Sequence, residues 1–243
     1  GGYASPQGPG TDFNTNFGSA IAGQSNLSGY PAGTVNRHQF SMSQGGGTAM
    51  SRGDWSTASS QLLTTVSPVN VGIQASVDMA TNVLTVDVEV YFTGTQSGLN
   101  SNKLNIAVVQ NNIEGPQSGS SMNPNAVLPN GNYNHNHMLR HMMTGQWGED
   151  IADISQNAFF SNQYTWSMPA DINGVALDPT NIAVVAFVAE GNQEILSGTE
   201  VYPNIIFANQ NDAYCMNSSA SDAICGDETD IAVTFRNYGN QDL

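Results

Sequence analysis

From Val69 onward the apolar side chains fall on every second position, and that period admits a half-buried strand while excluding an amphipathic helix. Val71, Ile73, Ala75 and Val77 alternate with Gly72, Gln74, Ser76 and Asp78. The turn Met79-Ala-Thr-Asn82 follows, and Leu84, Val86, Val88, Val90 and Phe92 then alternate with Thr85, Asp87, Glu89 and Tyr91. Together they predict a hairpin with one buried face. Leu104, Ile106 and Val108 repeat the pattern, Tyr164, Trp166 and Met168 add a strand, and Val201 to Phe207 closes the series. Ile182 to Ala189 is apolar throughout, which predicts a strand that lies centrally or is buried on both faces. Short alternating strands with long polar turns predict a β-sandwich over residues 68–208 of a mainly β chain.

The flanks read differently. Residues 1–67 mix Gly, Pro, Ser and Asn with a turn at Tyr30-Pro31-Ala32-Gly33, a short strand at Thr34-Val35-Asn36 and a loop at Gln44–Thr48. Ser51 to Ser67 predicts a helix capped by Asp54, with Trp55, Ala58, Leu62 and Val66 at helical spacing and Pro68 as its stop. Residues 209–243 begin a further β module, in which Ile231, Val233 and Phe235 alternate with Ala232, Thr234 and Arg236. Isolated strands are not stable alone, so this tail must pair with the sandwich, another chain or further residues.

Composition narrows the function. Charged residues make up only 10% of the chain, against about 25% in a typical globular protein. Twenty acidic residues against 5 basic ones give a net charge of −15. That excludes nucleic acid, whose binding needs clustered Lys and Arg, and excludes a polybasic membrane surface. It permits calcium, which takes carboxylate and carbonyl oxygens. No apolar run is long enough to span a membrane as a helix. Gly1-Gly2-Tyr3 reads as the interior of something longer, and scarce lysine with an Asn/Ser/Thr surface points to export. Nine residues separate Cys215 from Cys225. A disulfide across so short a loop would stabilise by roughly 3 kcal/mol; two free buried thiols are the alternative.

Three segments carry a resemblance: Gly29-Tyr-Pro-Ala-Gly-Thr-Val-Asn-Arg37; Tyr133-Asn-His-Asn-His-Met-Leu-Arg140 with Gly145-Gln-Trp-Gly-Glu149; and Val184-Val-Ala-Phe-Val188. Ile224-Cys-Gly-Asp227 with Val233-Thr-Phe-Arg-Asn-Tyr-Gly239 looks like the start of the next module in longer relatives. With these the chain resembles the Omp28-related outer-membrane and secreted proteins of Bacteroidetes-type bacteria. The resemblance implies a thioredoxin-like domain before an immunoglobulin-like β-sandwich. Residues 1–67 would be the C-terminal half of the former, with Pro31 at its structural cis-proline position. The half that would carry a CxxC does not appear in this sequence.

Three of the four histidines crowd into one stretch. His135 and His137 lie two apart, so a continuous strand would place them on one face, and His141 could join them. With Met138, Met142 and Met143 alongside, that set could hold a soft metal. The alternative is a strand whose histidines and Arg140 hydrogen-bond loops at the sandwich end. The literal His-Asn-His string does not make a nuclease, because no basic surface accompanies it. Glu149, Asp150 and Asp153 beside Trp147, and Asp227 to Asp230, read as solvated loops or calcium ligands, and Trp147 and Trp166 as sugar platforms or buried sandwich residues.

No catalytic residue is assigned. The expectation is a non-enzymatic secreted or cell-surface structural or adhesion protein at the outer-membrane surface of a bacterium, part of a longer polypeptide or assembly. Its partners would be other copies of itself, surface proteins or glycans. A carbohydrate- or calcium-binding module is one alternative, and a thiol oxidoreductase whose CxxC half is missing is another.

Overall fold

The computed structural model describes residues 12–95, 101–207, 213–220 and 231–237. Its first element, α1 (Asn16–Ser25), is opened by Thr15, whose hydroxyl accepts from the Gly18 amide at 2.9 Å, and closed by Asn26 in the left-handed region. The Tyr30–Pro31 bond is cis. It leads into β1 (Ala32–Gly33), which pairs antiparallel with β2 (Met50–Ser51) ahead of α2 (Trp55–Leu62). Phe40, Met50 and Ala58 form a small core here.

Several expectations for this segment are corrected. Thr34-Val35-Asn36 is not a strand, because Asn36 and Arg37 both take left-handed backbone at φ 49° and turn the chain. Asp54 stands at the start of α2, yet its side chain makes no capping bond. The helix stops at Leu62 rather than Ser67, since Leu63 and Val66 are 85% and 93% exposed and have no apolar surface to pack on. The expected loop at Gln44–Thr48 contains a short 3-10 turn over Gln44–Gly46.

The sandwich opens with β3 (Val69–Asp78), β4 (Val83–Phe92), β5 (Asn102–Gln110) and β6 (Ile113–Gly115). Next come β7 (Tyr133–His135), β8 (Met138–Met142), β9 (Glu149–Asp150) and β10 (Phe159–Ser167). Then follow β11 (Asp171–Ile172), β12 (Val175–Ala176), β13 (Ile182–Glu190), β14 (Glu194–Val201) and β15 (Asn204–Ile206). One sheet has the order β10-β4-β3-β15; the other has β14-β13-β5-β8, with β9 also on β5. The expected single run from Val201 to Phe207 is two strands, because Pro203 interrupts it and β14 begins earlier, at Glu194.

Between the sheets lie Leu84, Val86, Val88, Val90 and Phe92 from one side and Leu104, Ile106, Val108, Ile182, Val184 and Val188 from the other. Burying each such side chain is worth roughly 1.5–3 kcal/mol. The continuous apolarity of β13 has a direct cause. Its Val184, Ala186 and Val188 enter the sandwich core, while Phe187 and Val185 face the opposite way and meet Phe17 of α1. The N-terminal segment is therefore a third layer over the five-stranded sheet. Asn36 pins it to β14: its carbonyl accepts from the Ile195 amide at 2.8 Å, and its side chain donates back to the Ile195 carbonyl at 3.2 Å.

Beyond the sandwich, β16 (Ala213–Ala220) and β17 (Ile231–Asn237) pair antiparallel with a bulge near Cys215. The side chains described on this ribbon are exposed. No described helix is long and apolar enough to cross a membrane.

Candidate functional site: the histidine segment and the outer sheet face

The expected histidine trio is dispersed by the backbone. His137 sits at φ 53° between β7 and β8, so the strand alternation that would align it with His135 is broken. The two strands also belong to different sheets, β7 pairing β6 and β8 pairing β5. His135 is buried, its ring 5.0 Å from both Phe13 and Tyr133, with Nε2 3.3 Å from the Pro116 carbonyl. His137 points outward, with Nε2 3.6 Å from Glu200. His141 lies flat on Trp166, centroids 4.3 Å apart and planes at 8°, with Phe17 edge-on at 5.4 Å. Burial pushes His135 and His141 below the ordinary histidine value. Among the described residues no three His, Cys, Asp or Glu side chains gather as metal ligands. The segment is instead a packing device: Arg140, buried on β8, donates from Nη2 to the Val175 carbonyl at 2.6 Å.

The acidic residues nearby do not converge either. Glu149 accepts from the Tyr164 hydroxyl at 3.0 Å, Asp150 from Ser101 at 2.7 Å and Lys103 at 2.9 Å, and Asp153 from Ser155 at 2.7 Å. Those bonds hold Asp150 and Asp153 below the usual carboxylate range. Trp147 is half-buried and faces Arg37, whose guanidinium lies 6.0 Å from its ring centre and 5.3 Å from that of Phe187. Cys215 is exposed, so it is not a buried thiol. Its expected partner Cys225, and the acidic run Asp227 to Asp230, lie outside the described residues.

Sequence reasoning missed the face of the four-stranded sheet that points away from the core. Register places Asn70, Tyr91 and Phe159 in one row, Gly72, Glu89 and Ser161 in the next, and Gln74, Asp87 and Gln163 in the third. Directly opposite residues share a face. A groove of about 580 Å³ runs over the second and third rows. Gln163 donates to Asp87 at 2.7 Å across it. Tyr91 and Phe159, 40% and 60% exposed, stand on its border, the Tyr91 hydroxyl donating to Asn157 at 3.0 Å. The available signal was Gly72, a glycine between Val71 and Ile73 in the middle of a strand.

Residues 19–205 match the family described as outer membrane protein Omp28. Among solved structures the chain is similar to HBP35 of Porphyromonas gingivalis, with a TM-score of 0.60 and 16% identity, over 90% of this chain and 66% of that one. At that identity the likeness speaks for the fold alone, and this chain spans slightly under two thirds of its neighbour's length. No curated protein sequence matches it.

Proposed function

The chain belongs to the outer membrane protein Omp28 family, placing it at the outer membrane or cell surface, and on that footing we propose that it is a non-enzymatic structural or adhesive protein that works through contact with neighbouring molecules. One observation carries this reading. On β17, Ile231, Val233 and Phe235 are 63%, 40% and 60% exposed in a row, whereas the core valines Val86, Val88 and Val90 sit at 0–1%. Two-stranded ribbons are marginal alone, and contiguous exposed apolar surface marks contact sites. A second copy of the chain, or another surface protein, would supply the missing cover. On this reading residues 1–67 are the back half of a thioredoxin-like domain, whose described part supplies Phe17 as cover for the outer face of β13.

The test is the mass of the 243-residue chain in solution by light scattering. Self-association that disappears in the double variant Val233→Asp, Phe235→Asp supports the proposal. A monomer at high micromolar concentration that also recruits no protein from outer-membrane extracts sinks it.

A further inference from the structure

Gly72 has no backbone reason to be glycine. It lies in mid-strand on β3, outside the left-handed region, in an uninterrupted ten-residue register with β4. Packing gives no reason either: a Cβ built there would meet only the Cβ of Glu89, at 3.9 Å. Glycine in a strand interior costs backbone entropy and forfeits cross-strand packing. With no bulge and no close neighbour in the chain to account for it, an open strand glycine is a place where a ligand can come close to the backbone. The notch it leaves is the floor of the groove on the outer sheet face.

The lining says which ligand. Asp87 and Glu89 offer acceptors, Gln74 and Gln163 offer both donors and acceptors, and Ser161 adds a hydroxyl. One row away, Tyr91 and Phe159 present exposed rings directly opposite each other. Two carboxylates in a chain of net charge −15 repel a polyanion. The polar lining disfavours an apolar ligand. A peptide adding to the sheet would pair along an outer edge, β10 or the stretch of β3 before Ser76, whereas this groove lies on the sheet face between those edges. A ring with an apolar face and a rim of hydroxyls satisfies both parts of the surface: the face lies on an aromatic, and the hydroxyls bridge carboxylate and amide. We propose that the groove over Gly72 binds a neutral glycan, with one sugar in the notch bonded to Glu89, Asp87 and Gln163 and its neighbour against Tyr91 and Phe159. The groove volume is within the range of small-ligand sites. This site is separate from the β17 row, so it can fail while the contact reading stands, and the reverse.

The experiment is native electrophoresis of the full chain through gels containing mannan, xylan, dextran or laminarin, then calorimetry with a hexasaccharide of whichever retards it. Retardation by at least one is expected. Gly72→Val should weaken binding at least tenfold with an unchanged or raised melting temperature, because valine fills the notch and favours a strand. Glu89→Gln and the pair Tyr91→Ala, Phe159→Ala should weaken it too, which keeps the test decisive if Gly72→Val misfolds. Val233→Asp, Phe235→Asp should bind as the parent does. No retardation in any gel overturns the proposal, as does binding that survives both Gly72→Val and Glu89→Gln.

Discussion

His141 closes the open edge of the sandwich, where its ring on β8 covers Trp166 on β10. Burial lowers its affinity for a proton, and the same holds for His135. The folded chain therefore holds fewer protons than the unfolded chain just below the ordinary histidine value of 6.5. Stability then rises with pH across that interval. The histidine contribution is full above 6.5, falls as the pH drops toward the depressed folded values, and levels off below them. Denaturant titrations at a series of pH values should show this fall, and His141→Phe should flatten it in part, His135 supplying the rest. A pH-independent midpoint in the parent would contradict it. Arg37 offers a second test. It is 7% exposed, with its guanidinium over the rings of Trp147 and Phe187. Arg37→Ala removes these ring contacts and the packed stem together, and should cost on the order of 2–3 kcal/mol in urea denaturation.

At the scale of elements, the N-terminal layer depends on Phe13 and Phe17. Phe13 is 2% exposed, packs with Ile113 and Met138, and lies so close to Gly115 that a side chain there would collide with its ring. Phe13→Ala should cost about 3–5 kcal/mol, with faster amide exchange in α1 than in β4 as the local readout. The same layer shows what the sequence could and could not reveal. Period two disclosed β3, β4 and β5 because each buries a single face or lies in the sheet interior, and the uninterrupted apolar run disclosed β13 without naming what covers its second face. The helix α1 escaped because Asn, Gly, Ser and Gln dilute its apolar residues; only its caps, Thr15 and Asn26, were readable. The histidine trio misled because one left-handed residue, His137, undoes a two-residue spacing. The outer groove was hidden for a different reason. Gly72, Asp87 and Gln163 come together only through lateral register, which no local pattern encodes.

For the whole molecule, the acidic excess must be weighed against the few cations that offset it. Lys103 pairs with Asp150, whose carboxylate is largely exposed, while the hydrogen bond between His38 and Glu194 at 2.8 Å ties the N-terminal layer to β14. Exposed pairs contribute about 0–1 kcal/mol each and weaken as salt rises. The repulsion among 20 acidic residues with 5 basic ones acts on every part of the surface and weakens as well. These two effects of salt have opposite signs, and the larger number of unpaired carboxylates decides between them. Raising sodium chloride from about 0.01 M to about 1 M shrinks the screening length from about 30 Å to about 3 Å. The melting temperature should climb over that range, most steeply at the low end, where repulsion between distant carboxylates is still felt. Lys103→Gln should lower the starting value while leaving the climb intact, since it removes one local contact and adds to the net charge. A melting temperature that falls with salt would mean that the few cations, not the surplus of acids, govern how this surface holds together.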